Sequence, residues 1–356
     1  MAFNPDVSVF INAVGKLSDA DLLQYSEMIF RDLTQGSEIK ELHDIVTGVQ
    51  ANNPIPFMDR GEDWEYMKDA SGLTSQCDPL PCDVGIGMSI ATWNPVPYAC
   101  TLEFCSKDLE LPMLDFFNSV RLLEDFDENT FYIDFLKQLI GQRLKNSLWT
   151  KAYFAATTAT STALTGHNGL FVQYDAATTG TDRRIDIAKN GGASYAAQKL
   201  TSLEGFQIVE AVNEAIEDDR ELNFKEGVEI RVTKSIATAY LRWLRENMQV
   251  NCCERDPQTG IYSIDSLSIY SRPIKVVSEW DMILNSIAEF DSGTAKVNPH
   301  RAVATYKGSS PIGTPDEAKL SELKLKYDDY NEKAKFVSRY RIDSKLVIPE
   351  HVILAM

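Results

Sequence analysis

The sequence predicts an α+β fold with material for about two domains. Three observations predict it. A single long helical periodicity runs through the middle of the chain, helix and strand patterns alternate after it, and a proline-rich stretch of short strand candidates comes before it. The 356 residues are 44% hydrophobic and 24% charged, a globular composition at a length of about two domains.

Residues 1–50 read as an extended leader followed by two short helices. Ser18 and Asp21 resemble a capping box, and Leu22, Met28, Ile29 and Leu33 supply an apolar face. Ser37 opens a second stretch, with Ile39, Leu42, Ile45, Val46 and Val49 at helical spacing. Neither helix has a core of its own. Residues 51–112 carry Pro54, Pro56, Pro79, Pro81, Pro95, Pro97 and Pro112, half of the chain's 14 prolines. Gly87–Trp93 and Tyr98–Phe104 are strand candidates there, and proline confines such strands to edges and bulges. The segment reads as a long two-stranded excursion that must find its cover elsewhere.

Residues 130–157 form the clearest helix. Phe135, Leu136, Leu139, Ile140, Leu144, Leu148 and Ala152 recur at steps of three and four. Asp125, Asp127 and Glu128 crowd its start and Lys145 and Lys151 its end, both suited to the helix dipole. Residues 158–200 are rich in Thr, Ala, Gly and Ser and read as a loop with short strands. Residues 201–290 alternate: a capped helix (Thr201, Glu204), a half-buried strand (Val228, Ile230 and Val232 against Glu229, Arg231 and Thr233), a helix that Ser235 can cap, then two strands broken at Pro273. This stretch is the best candidate for a compact unit. Residues 300–356 read as a meander of strands ending in KLVIPEHVILAM.

Composition excludes several functions. A net charge of −17 does not bind nucleic acid by phosphate neutralisation, which needs a stripe of Lys and Arg. It suits solubility, and it suits a container wall that must not trap DNA. No stretch approaches the roughly 20 apolar residues of a membrane span, and the N-terminus has no secretion-signal pattern. The protein is therefore expected to be made in the cytosol and to stay there until something releases it.

Searches for catalytic chemistry fail. Gly85-Ile86-Gly87 lacks the third glycine of a dinucleotide loop, since position 90 is isoleucine. His43, His167, His300 and His351 stand in unlike contexts and read as satisfied core or surface residues. No catalytic residue, cofactor site or metal ligand is assigned, and the chain reads as no enzyme. The one spaced pattern is Cys77-x4-Cys82 followed by Cys100-x4-Cys105. These thiols could bind zinc, pair as disulfides or stay free. Trp64, Trp93, Trp149, Trp243 and Trp280 read as core or interface residues.

Three strings carry a resemblance: YACTLEFCSKDLELPMLDFF, SLWTKAYFAATTATSTALTGHNGLFVQYDA and FVSRYRIDSKLVIPEHVILAM. With the order of parts, they make the chain resemble the major capsid proteins of tailed bacteriophages, notably those of phages infecting Bacteroidetes. Such proteins have the Hong-Kong-phage-type fold, shared with encapsulins and the herpesvirus capsid floor. The resemblance implies an N-arm (1–55), an E-loop (56–112), a P domain with its spine helix (113–200 and 300–356) and an A domain (201–299). It implies self-assembly as hexamers and pentamers into an icosahedral shell around a dsDNA genome, and hence a place in the virion. It also implies a separate scaffolding protein, a portal and decoration proteins as partners. Two alternatives stay open: an encapsulin-like compartment, and a zinc-dependent binding protein built on Cys77, Cys82, Cys100 and Cys105.

Overall fold

A computed structural model describes residues 38–60, 86–120, 131–247, 267–315, 324–328 and 333–356. Of the expected leader helices, the first lies outside these residues. The second is cut short: α1 covers only Glu38–Leu42, and β1 (Ile45–Val46) follows. The reason is tertiary. Arg231 Nη2 donates to the Leu42 carbonyl that a longer helix would use, and β1 is drawn into parallel pairing with β10 (Ile312–Gly313).

The excursion has a different partner scheme from the expected one. β2 (Pro54–Arg60) pairs antiparallel with β3 (Ile86–Thr92) in a two-stranded sheet. The next strand, β4 (Val96–Cys105), leaves that sheet. It pairs over ten residues with β12 (Lys333–Ser344), which in turn holds β11 (Lys324–Asp328) and β10. The 98–104 strand therefore belongs to a five-stranded sheet with the C-terminal meander, where Tyr340 and Ile342 lie in the core. Pro112, read as part of the excursion, sits inside α2 (Ser106–Val120).

The expected spine is α3 (Phe131–Phe154), 24 residues and about 36 Å long. Phe131, Phe135, Leu144, Leu148, Trp149, Ala152 and Tyr153 are buried along it. Leu109 and Met113 of α2 share its core, with Phe116 stacked near Phe131 and Phe135. A helix that sequence reading took for loop and strands follows: α4 (Leu170–Thr178). Leu170, Phe171 and Tyr174 bury one helical face, a spacing already present in the sequence but hidden by the Thr- and Gly-rich flanks.

The alternating region forms as read, with corrections of detail. In α5 (Ser202–Asp218) the capping box is complete: Thr201 N–H donates to Glu204 Oε2 at 2.8 Å, and Glu204 N–H to Thr201 Oγ1 at 3.3 Å. The short α6 (Arg220–Asn223) leads to β6 (Glu229–Val232). Ser235 is not the cap of the next helix: α7 (Lys234–Asn247) starts one residue earlier, and Ser235 Oγ bonds His300 instead. Gly205 lets α5 and α7 cross closely, since a Cβ there would lie 2.5 Å from Ala239 Cβ. The two strands expected around Pro273 are β7 (Ser268–Ile269) and β8 (Arg272–Val276), so Pro273 lies within a strand. The break falls at Tyr270 and Ser271, both at positive φ, the geometry of a two-residue hairpin turn. Then come α8 (Ser278–Ser286), β9 (Ala302–Thr305) and β13 (Ile353–Ala355).

A six-stranded sheet, ordered β5 (Arg184–Ile185), β13, β9, β6, β8, β7, divides two hydrophobic cores. The period of two sorts its residues. Ala302, Ala304, Ile353 and Ala355 face the core under α5 and α7, while Val303 and Leu354 face the spine. Residues 201–299 thus do not close their core alone. The same sandwiching corrects the reading of β6 as half-buried. With protein on both faces, Glu229, Arg231 and Thr233 are buried along with Ile230 and Val232.

Candidate assembly interface

The four histidines are all buried and hydrogen-bonded, so none is available as a surface ligand. His300 Nε2 donates to the Gln198 carbonyl at 2.6 Å, and Nδ1 accepts from Ser235. His167 lies between Tyr98 OH (2.7 Å) and Ser344 Oγ (2.9 Å) and ties β4 and β12 to the spine end. Burial, with Lys345 and Lys151 nearby, lowers its pKa to about 4. His351 reaches Glu221 at 2.9 Å.

His43 sits in the most connected position. Its Nδ1 donates to the Ser310 carbonyl at 2.6 Å. Its Nε2 accepts from Tyr153 OH and from Arg231 Nη1 at 3.3 Å, since a guanidinium only donates. Burial first, then the Arg231 charge, hold its pKa well below the ordinary value. Arg231 is compensated by Glu229 at 2.8 Å, which also takes Lys275 at 2.9 Å. This knot fastens the first described segment (38–46) to the spine, β6 and the loop before β10. Arg301 is a contrasting buried cation. It lies over the rings of Phe171 (4.5 Å), Phe154 (5.0 Å) and Phe290 (5.8 Å), and desolvation brings its pKa down to about 9. Arg231→Met is expected to cost about 3–5 kcal/mol by breaking its buried pair with Glu229, which keeps only Lys275, and by leaving the Leu42 carbonyl without its donor. Arg301→Met, which strands no buried anion, is expected to stay within about 1.5 kcal/mol of the parent. Urea melts of the two variants check the contrast.

Among the described residues no three His, Cys, Asp or Glu side chains are grouped to hold a metal ion. Cys77, Cys82, Cys252, Cys253 and Trp64 lie outside the described residues. Cys100 and Cys105 stand opposite Ser338 and Lys333 on the continuous strand β4. Their Cα atoms are therefore about 17 Å apart at the rise of an extended chain. One zinc ion or one disulfide does not bridge that distance, so the pair is no chelating unit. Of the other tryptophans, Trp93, Trp149 and Trp280 are buried, and Trp243 stacks on Phe206 with ring centroids 3.7 Å apart.

No described helix or strand outside the pair makes more than marginal contact with the sheet of β2 and β3. A two-stranded sheet without cover is marginal in water. On α2, Leu111 and Leu114 point away from the spine and are exposed, three residues apart on one face.

No protein-family model matches the chain, and no curated protein sequence matches it. Solved structures do. A chain from the procapsid of satellite phage P4, including the size determination protein, aligns over 92% of this chain and 97% of its own, with 9% identity and a TM-score of 0.50. A chain from Gordonia phage Cozz aligns over 89% and 85%, with 10% identity and a TM-score of 0.51. The chain has the major capsid fold of tailed phages.

Proposed function

We propose that this capsid-fold chain is the shell-building subunit of a tailed phage, a structural protein and not an enzyme. It assembles as hexamers and pentamers into an icosahedral capsid that encloses dsDNA, and its place is the virion. The observation that supports this most is a fold that aligns over 92% of this chain and 97% of a chain from a phage procapsid; the separate two-stranded sheet of β2 and β3 agrees with it. Such a flap gains its burial only against another copy, which couples its ordering to assembly. In this reading residues 1–55 are the arm, the flap is the part of the expected E-loop from 56 to 92, the spine with the five-stranded sheet is the P domain, and 201–299 is the A domain completed by β9 and β13. The net charge of −17 keeps the wall from holding the genome by phosphate contacts. Assembly in the host cytoplasm, a separate scaffolding protein, a portal and decoration proteins belong to the same reading.

Electron microscopy of the purified protein, alone and with a phage scaffolding protein, tests it. Capsomers or closed shells are the expected result. A chain that stays monomeric at every salt and protein concentration tried overturns the assignment.

A further inference from the structure

We propose that neighbouring copies meet head to tail, with Phe224 of one copy entering a cleft beside Leu284 and His300 of the next. The inference rests on the shell reading and adds the contact that would build its rings.

The knob is Phe224, which is 85% exposed just after α6. Large exposed aromatics on soluble surfaces are uncommon when rigidly presented, and this one is rigid. Leu222 beside it is fully buried, and the Asp219 carboxylate accepts the N–H groups of Glu221 and Leu222 at 3.0 Å each. Asn223 accepts from Arg272, whose guanidinium also bonds Asn213. An aromatic held this way loses little freedom on docking, which is the character of an interface hot spot.

The socket lies at the other end of α5. It is a cleft of about 300 Å³ that includes Tyr195, Leu284, Pro299 and His300. A cavity of about 150 Å³ suffices for benzene, so a benzyl group fits. Its rim continues in exposed apolar surface, with Tyr195 and Val297 nearly half exposed.

Charge selects the same pairing. Residues 210–226, around the knob, hold seven carboxylates against two cations. The cleft carries Lys199 and Lys296, with Lys234 exposed nearby. Its own Asp281 is turned to the Lys234 N–H at 2.7 Å, and the neighbouring Asp291 accepts from Tyr195 OH. The acidic end of one copy thus complements the basic mouth of another. Knob and cleft are separated by the 17 residues of α5, about 25 Å, so one copy cannot satisfy itself. Two different patches in contact make a heterologous interface, which builds rings where its rotation closes.

The test places a photo-crosslinking phenylalanine analogue at position 224 and maps the adducts in assembled particles. Adducts on residues 195–199 or 284–300 of a second copy are expected. Phe224→Ala should lower the yield of capsomers at least ~tenfold with an unchanged melt, because the ring is outside the core. Lys199→Glu with Lys296→Glu should lose assembly, and adding Asp218→Lys and Glu226→Lys should restore it. If the parent assembles, the adducts fall elsewhere and Phe224→Ala assembles normally, the contact is overturned while the shell reading stands. If the parent never assembles, both fall.

Discussion

Replacing Pro56–Ile90 by a short Gly/Ser linker is expected to leave a folded subunit that closes no shells. β2 and β3 pair with each other and with no other described strand, so their loss removes no strand from either larger sheet. Asn53 and Trp93 remain, and with them the bond from Trp93 N–H to the Asn53 carbonyl at 3.0 Å. Trp93 itself packs on the backbone of Gly313, where a Cβ would lie 2.5 Å from the indole. The cooperative melt and helix content should therefore match the full chain by calorimetry and circular dichroism. Closed particles should vanish from micrographs, because on the proposed reading each copy has lost the sheet that would lie over its neighbour. A deletion from Gly61 to Cys105 is expected to behave differently. It removes β4, which pairs with β12 over ten residues, and should abolish cooperative folding. Global unfolding of the shorter deletion would place the flap in the core. Normal shells from it would remove the flap's role in assembly.

Acid should destabilise the isolated subunit steeply. His43, His167 and His300 are buried in networks that admit only the neutral ring, and burial lowers the pKa of each. The folded state then binds fewer protons than the unfolded chain once pH falls below the free histidine value of about 6.5. The stabilisation is complete above that value and is lost as pH drops toward the folded pKa of each ring. For His167, held near 4, the full loss is about 3 kcal/mol. His43 and His300, also lowered by burial, add to the loss in the same direction. Asp281 and Asp343, raised by burial, act in the opposite sense near and below pH 5 and soften the lower end. Urea melts at pH 7.5, 6.5, 5.5 and 5.0 measure the slope, and His167→Gln should reduce it. Stability unchanged from pH 7.5 to 5.0 would refute the account.

Local signals were enough for the elements whose information is local. The periodicity around Phe135, Leu144 and Leu148 determined the spine, and Thr201 with Glu204 determined the start of α5, because a helical face and a capping box are written within a few residues. The proline-rich stretch was legible only in part: Pro54–Arg60 and Ile86–Thr92 pair with each other, but Val96–Cys105 joins the five-stranded sheet. Pairing was not legible. Nothing near Tyr98–Phe104 says that its partner lies more than 200 residues away on β12, because strand pairing is a long-range choice between similar edges. Burial of charge was hidden likewise: the alternation at 228–233 reads as one wet face until β6 is seen with protein on both sides. Phe224 carries no mark in the sequence that separates it from a core phenylalanine. The sequence by itself therefore determined the spine and the capped start of α5. Only the tertiary structure decided which strands meet, where Arg231 and His43 are buried, and which aromatic is left outside, since each depends on groups brought together from distant parts of the chain.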